Sequence, residues 1–411
     1  MATKFELIEN IMLPPGFRAA GISAGIKKGG KKDLAIIASD RAAAVAACFT
    51  TNQVRSATVV LDAARVKSGK GRAIVVNSGN ANACTGAQGM KDAKRMAAIT
   101  AKNIGVPEAE VFVASTGPIG VSMPMDLLEK GIPEAAAKLS ANGGGDAADS
   151  IMTTDTRPKR LTAKFTIDGK SVTLSAMAKG AGMIHPNMAT MLCFVCTDAA
   201  VEPRALQAAL KNSVIQSFNR ISVDGDQSTN DTVLVLANGA AENKVLKPGH
   251  KQWSVFTAVL DAVLLTLAKK IARDGEGAKK LITVCVKNAR SCKEADAAAR
   301  AVANSMLVKT CWHGDYPNWG RIMDAIGYSP AKIDETKVDI FYDDTIAVRR
   351  GISAGTPVDK LSAIQSKEEF AITIDLHLGR ANAEVFTCDI SEDYVKINVD
   401  YVRDMTGRGP T

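Results

Sequence analysis

The sequence predicts an α/β (α+β) fold, a layered sandwich of mixed sheets and helices. Three observations carry that reading. Short runs rich in β-branched residues recur along the whole 411-residue chain, as half-buried or buried strands require. Between them lie stretches with apolar residues every three or four positions, the spacing of helices that bury one face. The strand-like runs come both singly between helices and in adjacent pairs, so hairpins are mixed with crossover units. A single doubly wound parallel sheet is therefore disfavoured.

Taken in order, strands are expected over 73–77, 111–114, 161–167, 171–177, 190–197, 232–237, 282–286, 338–342, 370–376 and 383–389. The pairs 161–177 and 370–389 read as hairpins. Helices are expected over 91–103, 126–141, 203–218, 253–272 and 291–306, and 394–399 reads as a further strand-like run. Asn142-Gly143-Gly144-Gly145 and Lys247-Pro248-Gly249 are turn signals, and no repeat of fixed period is present.

Composition narrows the function. Hydrophobic residues at 46% against 23% charged mark a globular chain, and the net charge of +8 is spread over both signs along its length. Nucleic-acid binding needs clustered basic residues interleaved with aromatics, but aromatics are 5% and the densest basic run, Lys27, Lys28, Lys31 and Lys32, is short and reads as a solvated turn. The charge favours anionic small molecules over nucleic acid. The N-terminus lacks the apolar core of a signal peptide, and the longest uncharged stretch, Gly180 to Thr197, is interrupted by His185-Pro186-Asn187 and reads as a turn followed by a strand. No membrane association and a cytoplasmic location are expected.

Eight cysteines in so long a chain make no disulfide framework. Cys193 and Cys196 have C-x-x-C spacing, but on a strand their thiols point to opposite faces, and no second pair accompanies them. Asp224-Gly225-Asp226 with Asp231 resembles a cation loop but lacks a later bidentate Glu. No metal is expected, and His185, His250, His313 and His377 are too scattered to form a recognisable catalytic set.

The most informative segment is Lys179-Gly180-Ala181-Gly182-Met183-Ile184-His185-Pro186-Asn187-Met188-Ala189-Thr190-Met191-Leu192. Two glycines and a Pro-Asn turn precede a hydroxyl at the start of a strand, where strain can turn that hydroxyl onto the preceding carbonyl. Such geometry suits an N-to-O acyl shift and self-cleavage. The new N-terminal Thr190 would carry its own base in its α-amine. On residue types alone, an ordinary β-former on a buried strand is the stronger account of Thr190.

The same segment resembles the self-processing segment of the ornithine acetyltransferase family, the glutamate N-acetyltransferases of the arginine pathway. Further motifs of that family stand in order along the chain: Gly16-Phe17-Arg18-Ala19-Ala20-Gly21-Ile22, Asn77-Ser78-Gly79-Asn80-Ala81-Asn82-Ala83-Cys84-Thr85-Gly86, Ser115-Thr116-Gly117, Thr153-Thr154-Asp155-Thr156, Ser228-Thr229-Asn230-Asp231-Thr232, Asp274-Gly275-Glu276-Gly277 and Pro317-Asn318-Trp319-Gly320-Arg321.

The resemblance implies cleavage between Ala189 and Thr190 into associated fragments, 1–189 and 190–411, with two of each in a heterotetramer. It implies Thr190 as nucleophile, Thr116 and Gly117 as oxyanion hole, and Thr153, Lys179, Thr190, Glu276 and Asn398 as substrate-binding residues. A Lys179 ammonium suits an α-carboxylate, and Glu276 suits a substrate ammonium. The implied reaction moves acetyl from N2-acetyl-L-ornithine to L-glutamate, with no cofactor and with acetyl-CoA as a further donor in some members. The alternatives are an N-terminal-nucleophile amidase or aminopeptidase-like hydrolase that gives its acyl group to water, and a silent, uncleaved binding homologue. The polar stretch 402–411 departs from the family, which ends soon after the I-N-x-x-Y segment, and it displaces the terminal Thr411.

Overall fold

A computed structural model describes residues 5–185 and 191–406 of the protein, with side chains described as far as residue 400. It forms two compact units: one of residues 5–180, 191–219 and 227–271, the other of residues 181–185, 220–226 and 272–406.

The first unit is built on β1 (Glu6–Ile8), β2 (Phe17–Ile22), β3 (Leu34–Phe49), β4 (Lys70–Ser78), β5 (Val111–Thr116), β6 (Lys159–Ile167), β7 (Lys170–Lys179), β8 (Leu192–Thr197) and β9 (Thr232–Ala237). They pair in the order β1-β6-β7-β8-β9-β3-β4-β5, and β2 pairs with the first half of β3. β4 and β5 run parallel, as do β8 and β9, while the other pairs are antiparallel. The sheet is therefore mixed.

Both faces of this sheet are buried, which explains the near-continuous apolar runs. Ile36, Val75 and Val113 join one core with helices Ala57–Arg65, Gly86–Ile104 and Met125–Ala137, while Ile37, Ile74 and Phe112 join a second core with helix Gly144–Ser150. Successive residues of one strand go to opposite cores, the two-residue period of a pleated strand.

The second unit is built on β10 (Leu281–Ala289), β11 (Asp339–Tyr342), β12 (Thr345–Arg349), β13 (Ile352–Ser353), β14 (Glu369–Asp375) and β15 (Ala381–Cys388), in the order β13-β12-β11-β14-β10-β15. β10 and β14 are parallel and the rest antiparallel. Helix Cys292–Asn304 presents Ala295, Ala298, Ala299 and Val302 to this sheet, a three-and-four spacing that lets helix and strands approach closely. No helix among the described residues is long and apolar enough to cross a membrane.

The layered mixed-sheet class agrees with the sequence reading, and the expected helices are present within a few residues, apart from the second part of 126–141, which ends at Ala137 and resumes as Gly144–Ser150. Three expectations are corrected. The pair 370–389 is not a hairpin: β10 lies between β14 and β15, parallel to the first and antiparallel to the second, so the two strands do not pair with each other. The run 394–399 is helical, inside Glu392–Thr406, because Tyr394 and Ile397 are half-buried at a three-residue interval and acidic residues fill the first turn, where the helix dipole favours them. That helix takes in residues 402–406 of the polar stretch. The Lys27 turn is not simply solvated, because Lys27 is half-buried.

Gly21 fixes how helix Gly144–Ser150 lies on β2. A Cβ built on Gly21 would stand 2.0 Å from the Asp146 carbonyl oxygen and 2.4 Å from Ser150 Oγ, and a backbone carbonyl cannot rotate away. Gly21→Ala should lower stability by about 3 kcal/mol or more, measured by denaturant unfolding. Gly327→Ala, where an added Cβ meets nothing within 4 Å, should be neutral or slightly stabilising.

Candidate active site

Thr116 is the last residue of β5, buried at 4% exposure. Its carbonyl accepts the N–H groups of Gly79 (2.8 Å) and Asn80 (3.1 Å), so the Asn77–Asn82 turn is stitched to the strand end. Side-chain amides complete the stitching. Asn77 Nδ2 donates to Asn80 O (2.9 Å), Ser115 Oγ to Asn77 Oδ1 (2.6 Å), and Asn230 Nδ2 to both Ala81 O (2.6 Å) and Ser115 O (2.7 Å). Gly117 follows at φ +140°, and a Cβ on it would fall 2.5 Å from Asn80 N. Only glycine fits there.

Lys179 ends β7 and is buried at 2% exposure. Its Nζ donates to Thr116 Oγ1 at 3.3 Å. An ammonium has no acceptor capacity, so the Thr116 hydroxyl must accept in this contact and its own proton is directed elsewhere. Thr116 is thereby set up as a donor.

Behind these residues lies Asp155. Its Oδ1 accepts from Lys159 Nζ (2.6 Å) and Gly180 N (2.8 Å), and its Oδ2 from Thr153 N (3.0 Å). Burial by itself would raise this carboxyl, but the ammonium groups of Lys159 and Lys179 and the Gly180 N–H outweigh it and hold Asp155 well below the usual carboxylate range. It is a fixed negative charge at any ordinary pH.

Asp231 grips the chain just beyond the expected cleavage point. Its Oδ1 accepts from Met191 N (3.0 Å), and Met191 O accepts from Thr232 N (3.1 Å). Burial pushes the Asp231 carboxyl well up, against the Met191 N–H and Lys179. Ala189 and Thr190 themselves lie outside the described residues.

In the second unit, Glu276 is nearly buried, its N–H donates to Ala181 O (2.9 Å), and its Oε2 accepts from Asn398 Nδ2 (2.8 Å). A Cβ on Gly182 would fall 2.4 Å from Glu276 Cδ, so a glycine is required opposite that carboxylate. Asp224 accepts from the N–H groups of Met183 (2.6 Å) and Ile184 (2.9 Å) and from the Tyr394 hydroxyl (3.3 Å), pinning the segment that leads toward residue 190. Among the described residues no cluster of three His, Cys, Asp or Glu side chains is arranged to hold a metal ion.

The structure thus brings Thr116, Gly117, Thr153 and Lys179 together in the first unit, and Glu276 with Asn398 in the second. Sequence reasoning gave no role to Asp155, Lys159, Asn80 or Lys27. An acid and a lysine four residues apart in Asp155 and Lys159, beside the T-T-D-T motif, was the available signal.

A sequence profile of the ArgJ family matches residues 18–403. The chain belongs to this family. Among curated ArgJ relatives, the arginine biosynthesis bifunctional protein ArgJ of Geobacter sulfurreducens is 51% identical over 387 residues, 94% of this chain and 98% of that protein. That of Caldanaerobacter subterraneus subsp. tengcongensis is 51% identical over 395 residues, 95% of this chain and 98% of that one. Among solved structures, the ornithine acetyltransferase of Mycobacterium tuberculosis complexed with ornithine is 38% identical and matches 44% of this chain and 98% of its own, with a TM-score of 0.41. Several ArgJ motif residues named above, Asn77, Asn80, Asp155 and Asn230 among them, hold backbone or charge in place rather than facing open space.

Two variants test this frame. Lys159→Met leaves the buried Asp155 charge short of a partner and should cost about 3–5 kcal/mol of stability, read by denaturant unfolding. Asp231→Leu removes the acceptor for a buried N–H, a loss of about 1–3 kcal/mol, and should slow chain cleavage, whereas Asp231→Asn, which keeps an acceptor oxygen, should cleave more nearly normally in a time course of fragment appearance.

Proposed function

We propose that this ArgJ-family chain is an acetyltransferase of arginine biosynthesis that moves acetyl from N2-acetyl-L-ornithine to L-glutamate through an acetyl ester on Thr190. The observation that carries the chemistry is Thr116 Oγ1 accepting from Lys179 Nζ at 3.3 Å beside Gly117. This leaves one hydroxyl proton, with the Gly117 N–H, for an acyl oxygen.

Self-cleavage precedes catalysis. Thr190 Oγ attacks the Ala189 carbonyl, the peptide nitrogen leaves as the new α-amine, and water hydrolyses the resulting ester. In the first transfer the α-amine takes the proton of Thr190 Oγ as the oxygen attacks the acetyl carbon. Thr116 and Gly117 stabilise the tetrahedral oxyanion, an effect worth about 10²–10³-fold per donor. Collapse returns the proton to the departing nitrogen and releases ornithine. Glutamate's α-amine then attacks the acetyl ester, its proton passes to the Thr190 oxygen, and N-acetylglutamate leaves. Acetyl-CoA can replace acetylornithine as donor by the same route.

Lys179 serves the α-carboxylate common to both amino acids, Thr153 helps shape that subsite, and Glu276 with Asn398 suits the ornithine side-chain ammonium. The chemistry needs no metal or organic cofactor. The fragments 1–189 and 190–411 remain associated, two of each in a cytoplasmic heterotetramer. A hydrolase passing acetyl to water, or a silent homologue, is disfavoured by membership of a family whose curated relatives are named as biosynthetic enzymes.

Intact-mass analysis should find two fragments of roughly 20 and 23 kDa, which is 43.2 kDa divided as 189 and 222 residues of 411. Thr190→Ala should give a single chain with activity several powers of ten lower. An uncleaved wild-type chain with full activity would exclude the N-terminal threonine mechanism.

A further inference from the structure

Lys27 stands in the turn after β2, where Asp33, itself fully buried, accepts the N–H groups of Ala24 (2.6 Å) and Lys27 (2.9 Å). This fixes where the lysine begins. Its stem then crosses Gly79, on which a Cβ would fall 3.1 Å from Lys27 Cγ, so it lies against the same turn that holds Thr116 and Gly117. Its Nζ ends on Met152 O at 3.1 Å, the carbonyl directly before Thr153. Among the described residues no carboxylate lies within ion-pair distance of this ammonium, and Met152 O is the acceptor it uses, which leaves donors for a ligand.

Lys27 feels the charges of Asp33, Lys31, Lys179 and Asp155, and both carboxylates are already engaged, Asp33 by backbone N–H groups and Asp155 by the Lys159 ammonium and backbone N–H groups. A half-buried ammonium with donors to spare selects a carboxylate. Acetylornithine brings one carboxylate and glutamate two. The second carboxylate of glutamate is a charge that acetylornithine lacks, and it needs a cation of its own.

Resting on the acetyltransferase reading, we propose that Lys27 is a specificity residue of the acetyl-accepting half-reaction, binding the side-chain carboxylate that glutamate has and acetylornithine lacks. Burial, with Lys31 and Lys179, lowers the Lys27 ammonium to about 8, against the pull of Asp33 and Asp155. A lowered lysine is charged below that pH and neutral above it, so glutamate binding should weaken as pH rises through about 8.

The test uses full-length, self-cleaved protein, with acetylornithine and glutamate varied separately in wild type, Lys27→Met and Lys27→Arg. Methionine keeps the stem over Gly79 and removes the charge. Lys27→Met should raise KM for glutamate at least ten-fold more than KM for acetylornithine, consistent with the loss of a charged hydrogen bond, and should flatten the alkaline rise in glutamate KM expected of wild type. Lys27→Arg should recover much of the loss. Equal rises for both substrates, equal losses in Met and Arg variants, or a defect confined to acetyl-CoA as donor would each overturn the assignment. A wild-type enzyme that consumes acetylornithine without forming acetylglutamate would instead sink the acetyltransferase reading and the Lys27 role with it.

Discussion

The site depends on one buried charge. Asp155 holds the Lys159 ammonium, the Gly180 N–H at the end of β7 and the Thr153 N–H. A buried ion pair is poor evidence for stability, since desolvating both groups offsets much of their attraction. What it secures here is placement. The Gly180 bond fixes the strand end from which Lys179 reaches Thr116, and the Thr153 bond orients the peptide whose preceding carbonyl takes Lys27.

Around that charge the chain uses glycine where backbones or side chains must meet. Gly117 lies against Asn80 N, Gly79 gives passage to Lys27, and Gly182 makes room for Glu276. The N-S-G-N-A-N motif works through its amides, which spend their hydrogen bonds on carbonyls at residues 80, 89, 121 and 122, while Asn230 reaches those at 81 and 115, and together they hold the oxyanion turn. Such residues are constrained by geometry as tightly as the nucleophile is by chemistry.

Much of this was legible in the sequence. Apolar runs flanked by helical spacing marked most of both sheets, because strands buried on two faces carry little polar interruption. The long strand β3 was not legible: its Ala42-Ala43-Ala44-Val45-Ala46-Ala47 stretch has helix-forming residues, and its strand identity comes from pairing with β4 and β9. The run 394–399, which holds Asn398, reads as strand-like in sequence, whereas burial follows the helical interval of Tyr394 and Ile397. Isolated residue types would place Lys179, Lys159 and Lys27 on the surface; their burial depends on Asp155 and Asp33, partners that become near neighbours only through the fold. Family motifs located the Thr116, Lys179 and Glu276 positions, but the supporting charges carried no signal beyond ordinary polar residues in turns.

The central claim is that Lys179, placed by Asp155, makes the Thr116 hydroxyl an effective donor to the acyl oxygen. A double-mutant cycle of Lys179→Met and Thr116→Val on kcat/KM for acetyl transfer, in preparations verified as cleaved by mass spectrometry, measures that dependence directly. If the account holds, removing the Thr116 hydroxyl costs at least ten-fold less when Lys179 is already methionine than it does in wild type. The same fold-loss in both backgrounds would mean that the two residues act independently and would contradict it.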